Sequence, residues 1–206
     1  MRVLAIETID RHRVVGAVLD ESGHAGREVH DSSVDRALPP LLSELVAGGG
    51  LDAVVVAVGP GSYTGVRAGM AAAAGIAQAA SIPLFGVGAL EVVAWGAPAA
   101  AAHIHAVIDA GRGGLYVADY RREADRLVAD RGPRRVEAAG HLPPAGALVA
   151  ALPPVPAAVA ATAIAGDPVT ALVGAARAAI RGASLDLATL RPLEVADAAG
   201  SADRRV

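Results

Sequence analysis

Gly59–Met70 reads GPGSYTGVRAGM and follows directly on the apolar run Ala53–Val58. A strand, a glycine-rich turn and a helix in that order often seat phosphate at the helix N-terminus. This copy fits neither familiar phosphate motif. Its glycines at 59, 61 and 65 put the third one residue late for GxGxxG, and Val66-Arg67 stand where a P-loop needs Lys followed by Ser or Thr. Two readings of the turn are open. It is an anion seat, with Gly59, Gly61 and Ser62 as candidate cofactor-binding residues, or it is a bend in which glycine supplies positive φ and lets the helix approach its neighbours.

Outward from the turn, Ala53–Val58 has the continuous apolar character of a strand buried on both faces. Upstream, Arg2–Thr8, Arg13–Leu19 and Ala25–His30 predict three strands, with Glu21-Ser22-Gly23 turning between the last two. Leu38, Leu41, Leu42, Leu45 and Val46 then repeat at helical spacing, with Pro39-Pro40 near the helix start and Gly48–Gly50 ending it. Thr64–Ala80 predicts a second helix, capped by Ser62 or Thr64. Pro83–Val87 reads as a strand and Leu90–Trp95 as helical. Three strands, a helix, a central strand and a helix make the βββαβα unit of the ribonuclease-H-like fold, which actin and sugar kinases use twice. A second unit starts at His103–Asp109, hairpinned to Leu115–Tyr120 through Gly111–Gly114, and Pro168–Gly182 predicts a late helix. After Arg126 the pattern fades into Ala, Pro and Gly. The expected class is therefore an α/β, actin-like (ASKHA) fold of two lobes. Residues 1–100 form the first lobe, 101–197 a reduced second lobe and 198–206 a flexible tail.

Composition narrows the chemistry. The chain has 206 residues, 53% hydrophobic but only 2% aromatic, so its core is built from Ala, Val, Leu and Gly packed close to the backbone. All 18 basic residues are Arg; there is no Lys, Asn or Cys. Schiff-base chemistry, P-loop hydrolysis, Cys nucleophiles, disulfides and thiolate metal sites are thereby excluded. A net charge of −3 argues against autonomous nucleic-acid binding. The cluster Arg121, Arg122, Arg126, Arg131, Arg134 and Arg135 reads as a solvated face, with a local basic patch as the other reading. Two uncharged stretches, Ala68–Leu90 and Leu142–Gly166, are long enough to span a bilayer. They are Ala- and Gly-dominated and broken by Gly, Gln and Pro, so they read as buried segments of a cytoplasmic protein.

Val3–Thr8 (VLAIET) and Gly59–Met70 together resemble the TsaB family, the bacterial partner subunits of the transferase that makes threonylcarbamoyladenosine in tRNA. That family reads close to LAIDT at its start, GPGSFTGVRIG in the turn and DARxxEVY in the second lobe. This chain has Leu4–Thr8, Gly59–Gly69 and Asp109–Tyr116 (DAGRGGLY) at those places. Glu7 replaces the usual Asp, Ser33 a common His before the first helix, and Gly111 and Gly114 an Arg and an acid. The closing PxYLR survives only as Pro192-Leu193-Glu194-Val195. The resemblance implies a non-catalytic scaffold subunit. Its implied partners are a TsaD-like catalytic subunit, a TsaE-like ATPase and tRNA reached through the complex, with a homodimer open to the chain alone and no membrane. ATP and a metal are expected on the partner subunits. TsaB is similar to a degenerate TsaD, in which a two-His motif follows the turn and helix. Here Ala89 and Val93 occupy the two His places. An ATP-dependent small-molecule kinase of the same superfamily is the enzyme alternative; a peptidase lacks a visible nucleophile and base.

Individual residues carry paired readings. Glu7 is either a ligand of a phosphate-bound metal or a carboxylate capping the Gly59–Thr64 turn. His103 and His105 share one side of a strand, as metal ligands or as solvent-facing or hydrogen-bonded rings. Ser62, Tyr63 and Thr64 lack a supporting His and acid. On the second helix, Ala68, Ala72, Gly75 and Ala79 form one small-residue stripe, with Gly69, Ala73 and Ala80 beside it. One reading packs both stripes within the chain; the other gives one to a partner. The family uses these two helices as its subunit contact, which nominates Leu38, Leu41, Leu45, Val66, Arg67, Ala68, Met70, Ala72, Ala73 and Ala77.

Overall fold

The computed structural model describes residues 1–10, 12–31, 33–152, 154–182, 184–185, 190–193 and 195. The expected tail 198–206 and Glu194 of the closing motif lie outside them. Strands β1 (Val3–Glu7), β2 (Arg13–Leu19) and β3 (His24–His30) form an antiparallel meander, with the predicted Glu21–Gly23 turn between the last two. Helix α1 (Val34–Val46) crosses over to β4 (Ala53–Ala57), and α2 (Tyr63–Ala80) crosses to β5 (Leu84–Val87). β4 and β5 run parallel to β1, giving the order β3-β2-β1-β4-β5. Every residue of β1 and β4 is buried, which is why both are continuous apolar runs up to Glu7.

Helix α1 begins four residues before its first predicted leucine. Val34, Ala37, Leu38, Leu41, Leu42 and Leu45 form a single buried stripe, so the prolines lie inside the helix and not at its start. Pro39 and Pro40 are exposed and have no N–H to return to residues 35 and 36. Asp35 and Arg36 also face solvent, where water serves the freed carbonyls.

After the short helix α3 (Ala89–Trp95), a second sheet repeats the connectivity of the first. β6 (His103–Gly111), β7 (Gly114–Glu123) and β8 (Arg126–Glu137) form the meander. β9 (Leu148–Ala151) and β10 (Ile164–Ala165) add in parallel beside β6, giving β10-β9-β6-β7-β8. The fold is thus the two-lobed actin-like α/β fold with a reduced second half. Where α1 joins β3 to β4, residues 138–147 join β8 to β9 without a helix. Helix α4 (Pro168–Ala179), capped by the Asp167 carboxylate accepting from Thr170 N at 2.7 Å, packs on α3 and on the first sheet.

The arginine cluster proves to lie on an edge strand, β8, and on its neighbour β7, which carries Arg121 and Arg122. β8 borders the sheet, and Gly132 and Pro133 bulge between the Arg131–Asp119 and Arg134–Val117 pairs. Arg121, Arg126, Arg134 and Arg135 are tied to Glu123, Asp119 and Glu137 of β7 and β8. Among the described residues no helix is long and apolar enough to cross a membrane. Ala68–Leu90 is divided among α2, β5 and the start of α3.

Candidate functional site

The glycine-rich turn is fastened to the end of β1 by backbone-close contacts. Ser62 N donates to Ile9 O at 2.7 Å, and Thr8 Oγ1 donates to Gly65 O at 2.7 Å. Ser62 caps α2, its Oγ accepting from Gly65 N at 3.3 Å, and Ala89 N donates to Gly59 O at 2.7 Å. Gly59 has φ +99°, which side-chain-bearing residues rarely adopt. A Cβ on Gly65 would collide with the Thr8 carbonyl oxygen, which is backbone and cannot swing aside. We expect Gly65→Ala to destabilise the fold by about 1–3 kcal/mol, although the same change in an open helix would stabilise it. Urea unfolding of the variant decides this, and an unchanged midpoint would show that the turn has room.

Glu7 sits behind the turn and is fully buried. It does not cap Gly59–Thr64, so that expectation is corrected. Its Oε1 accepts from Ile9 N at 2.7 Å, and its Oε2 accepts from Arg13 Nη2 at 2.5 Å. The β1–β2 register explains the pairing. Glu7 lies opposite Val15, and Arg13 is two residues along on the same face, within diagonal reach of a long side chain. Burial pushes the Glu7 carboxyl above its ordinary range, and the Arg13 charge and Ile9 N–H offset only part of that.

In front of the turn lies a cleft of about 460 Å³ between the first and second sheets, with Asp10, Arg13, Ser62, Thr64, Asp109 and Tyr116 on its walls. Gly61 and Ser62 face it, whereas Gly59 lines a neighbouring depression beside Leu193 and Glu7 faces neither. Ala89 and Val93, at the places of the two-His motif, are buried, and Val93 forms apolar wall. Among the described residues no three His, Asp or Glu side chains converge as metal ligands. Each Glu7 oxygen already accepts one bond from within the chain, and the Ser62 and Gly65 amides are already donated.

The nominated partner surface divides. Leu38, Leu41, Leu45, Val66, Met70, Ala73 and Ala77 are buried in this chain's own core, against the expectation that they meet a partner directly. Each lies on the stripe its helix turns toward the sheet. Arg67 is exposed, and Ala68 and Ala72 are half-buried. The outward stripe is Ala68, Ala72, Gly75 and Ala79, with open space at Gly75; Gly69 and Ala73 face inward, Gly69 against Thr8. Tyr63, 72% exposed, extends the outer face and carries the Arg67 guanidinium 3.6 Å over its ring. Sequence reasoning passed over that pair, although i and i+4 spacing announces it. His103 is exposed, while His105 on the same strand is buried and hydrogen-bonded.

A family model described as TsaD: tRNA N6-adenosine threonylcarbamoyltransferase matches residues 27–176. The chain belongs to this family. Within it the likeness runs to TsaB. Over 134 residues the chain is 33% identical to the tRNA threonylcarbamoyladenosine biosynthesis protein TsaB of Escherichia coli (strain K12), covering 62% of this chain and 58% of that protein. Over 90 residues it is 39% identical to TsaB of Bacillus subtilis (strain 168), covering 42% of this chain and 39% of that protein. The matched span is thus well under two thirds of the length of these relatives. YeaZ from Pseudomonas aeruginosa has the same fold, with a TM-score of 0.79 at 22% identity, covering 94% of this chain and 99% of that one. The TsaB relatives bear out the resemblance carried by LAIET and GPGSYTGVRAG.

Proposed function

We propose that this chain is a non-catalytic scaffold subunit in the formation of threonylcarbamoyladenosine in tRNA. In this reading it pairs with a TsaD-like catalytic subunit and acts alongside a TsaE-like ATPase, and tRNA is engaged through the complex. ATP and the catalytic metal belong to the partners. The supporting observation is the pairing of Glu7 with Arg13 beneath a turn whose Ser62 and Gly65 amides donate to Ile9 and Ser62. With one oxygen held by the Arg13 guanidinium and the other by Ile9 N–H, the strand-one acid is already charge-paired inside the chain, which supports a role other than magnesium ligand. The names of the TsaB relatives support the pathway, and the open stripe on α2 offers a surface for a helix of the partner.

The purified chain is expected to give no heat with ATP and magnesium in calorimetry and no turnover. Adding it to a TsaD-like subunit, the ATPase, tRNA and the reaction's small substrates is expected to raise threonylcarbamoyladenosine formation, read by nucleoside mass spectrometry. Micromolar ATP affinity with hydrolysis by the chain alone would overturn the scaffold reading in favour of a kinase.

A further inference from the structure

Residues 138–147 cover the second sheet at the point where the first sheet has α1, and they read AAGHLPPAGA. His141 is the one residue of this segment whose side chain forms hydrogen bonds. Its Nε2 lies 2.9 Å from Nε2 of His105, with the two rings stacked at 5.1 Å between centroids. His105 is fully buried on β6, and its Nδ1 lies 2.6 Å from Asp119 Oδ1 on β7. Arg134 Nη2 on β8 donates to Asp119 Oδ2 at 2.8 Å.

The wiring fixes the protons. Burial pushes the Asp119 carboxyl up, but the His105 hydrogen bond and the Arg134 charge outweigh it and hold the group below the ordinary range. An ionised carboxylate only accepts, so His105 carries its proton on Nδ1. Its neutral ring then has a bare Nε2, which accepts from His141 Nε2–H. Two nitrogens at this spacing also suit a metal ion, yet no third ligand converges among the described residues and Arg134 adds positive charge.

The imidazole–imidazole bond needs one bare Nε2. With both rings fully protonated, two N–H groups meet head-on. We propose that His105 and His141 form a pH-sensitive clasp, which holds segment 138–147 over the second sheet and releases it when both rings are protonated. The other groups facing the pair are His103 on β6, Asp119 and Tyr120 on β7, and Asp130, Arg131 and Arg134 on β8. With the segment they enclose a cavity of about 560 Å³. Burial, followed by the His105 and Arg134 charges, pushes His141 below the ordinary imidazole value. A histidine depressed in the folded state contributes stability above that ordinary value and loses it as pH falls. The clasp is closed at neutral pH and weakens below about 6.5.

Residue-resolved hydrogen exchange on the intact chain at about pH 7.5 and about pH 5 tests the clasp. The amides of Ala138, His141 and Ala147 are hydrogen-bonded within or beside the segment. Corrected for intrinsic rates, their protection is expected to fall at least about tenfold at the lower pH, while β4 keeps its own. His141→Gln keeps a neutral hydrogen-bonding side chain and should abolish the fall. Nitrogen-15 spectra at neutral pH should place the His105 proton on Nδ1. No fall in protection, an equal fall in His141→Gln, a fall shared by β4, or the opposite His105 tautomer would each overturn the proposal.

Discussion

Arg13→Met is expected to lower the unfolding free energy by about 3–5 kcal/mol at neutral pH. Arg13 and Glu7 are 2% and 1% exposed at their side chains, so removing the guanidinium strands a carboxylate in an apolar interior. The pH dependence carries the diagnosis. Burial already raises the Glu7 carboxyl, so its favourable contribution is complete at low pH and is lost as pH rises through its folded value. Without the Arg13 charge that value rises further. Between the usual carboxylate range and neutrality, the folded variant takes up a proton that its unfolded chain does not. The gap between variant and parent should therefore narrow as pH is lowered, and the double change Glu7→Leu with Arg13→Met should recover most of the loss. Urea titrations at neutral and mildly acid pH measure both. A pH-independent gap would mean that the cost is lost packing and not a stranded charge. The double variant leaves Glu28, 3.8 Å from Arg13 and half-buried, to solvent.

Gly75→Arg and Ala72→Glu are expected to fold like the parent and to lose co-elution with a TsaD-like subunit. A charge on the outer stripe stays hydrated in the free chain but is buried unpaired in the complex, costing on the order of 2–4 kcal/mol of binding. Open space surrounds Gly75, and leaving glycine improves the helix, so stability should hold or rise. Ala73→Arg is the contrast. Ala73 is fully buried beneath the helix, and that variant should fail in thermal unfolding before any partner is added. Circular dichroism, followed by co-elution and the reconstituted tRNA reaction, separates the two classes. If the folded outer variants still co-elute and support modification, the partner meets another face and the proposed surface is wrong.

Most of the first sheet was legible because its segments state their burial directly. AVVVA at β4 is apolar at every position, and three short strand-like runs with a Glu-Ser-Gly turn between the last two announced the meander. The start of α1 was obscured by Pro39-Pro40, which normally mark a first turn but here lie on a solvent face where their lost hydrogen bonds cost less. β8 was unreadable because an edge strand needs no apolar face; its Arg126 and Arg134 find acids on β7 through the strand pairing. The Arg13 partner of Glu7 was open to inference, being a diagonal neighbour once the hairpin register is written out. His141 was not, since it meets His105 across a gap of 36 residues through an irregular segment with no register to count. The two stripes on α2 were visible as stripes, and the fold supplied the direction of each.

The first turns of helix α2 rest closely on Thr8, the residue that follows β1. Gly65 and Gly69 lie directly against Thr8, and the Thr8 hydroxyl is hydrogen-bonded to the Gly65 carbonyl. Long side chains between two elements are a compliant cushion whose rotamers take up small displacements; Gly65 and Gly69 bring none to this contact. Pushing on the outer stripe must drag Thr8 and Ile9 along, and through the Ile9–Ser62 bond it must drag the floor of the cleft. The outer face of α2 and the floor of the cleft are thus joined by short, stiff contacts, so a displacement of one is passed to the other.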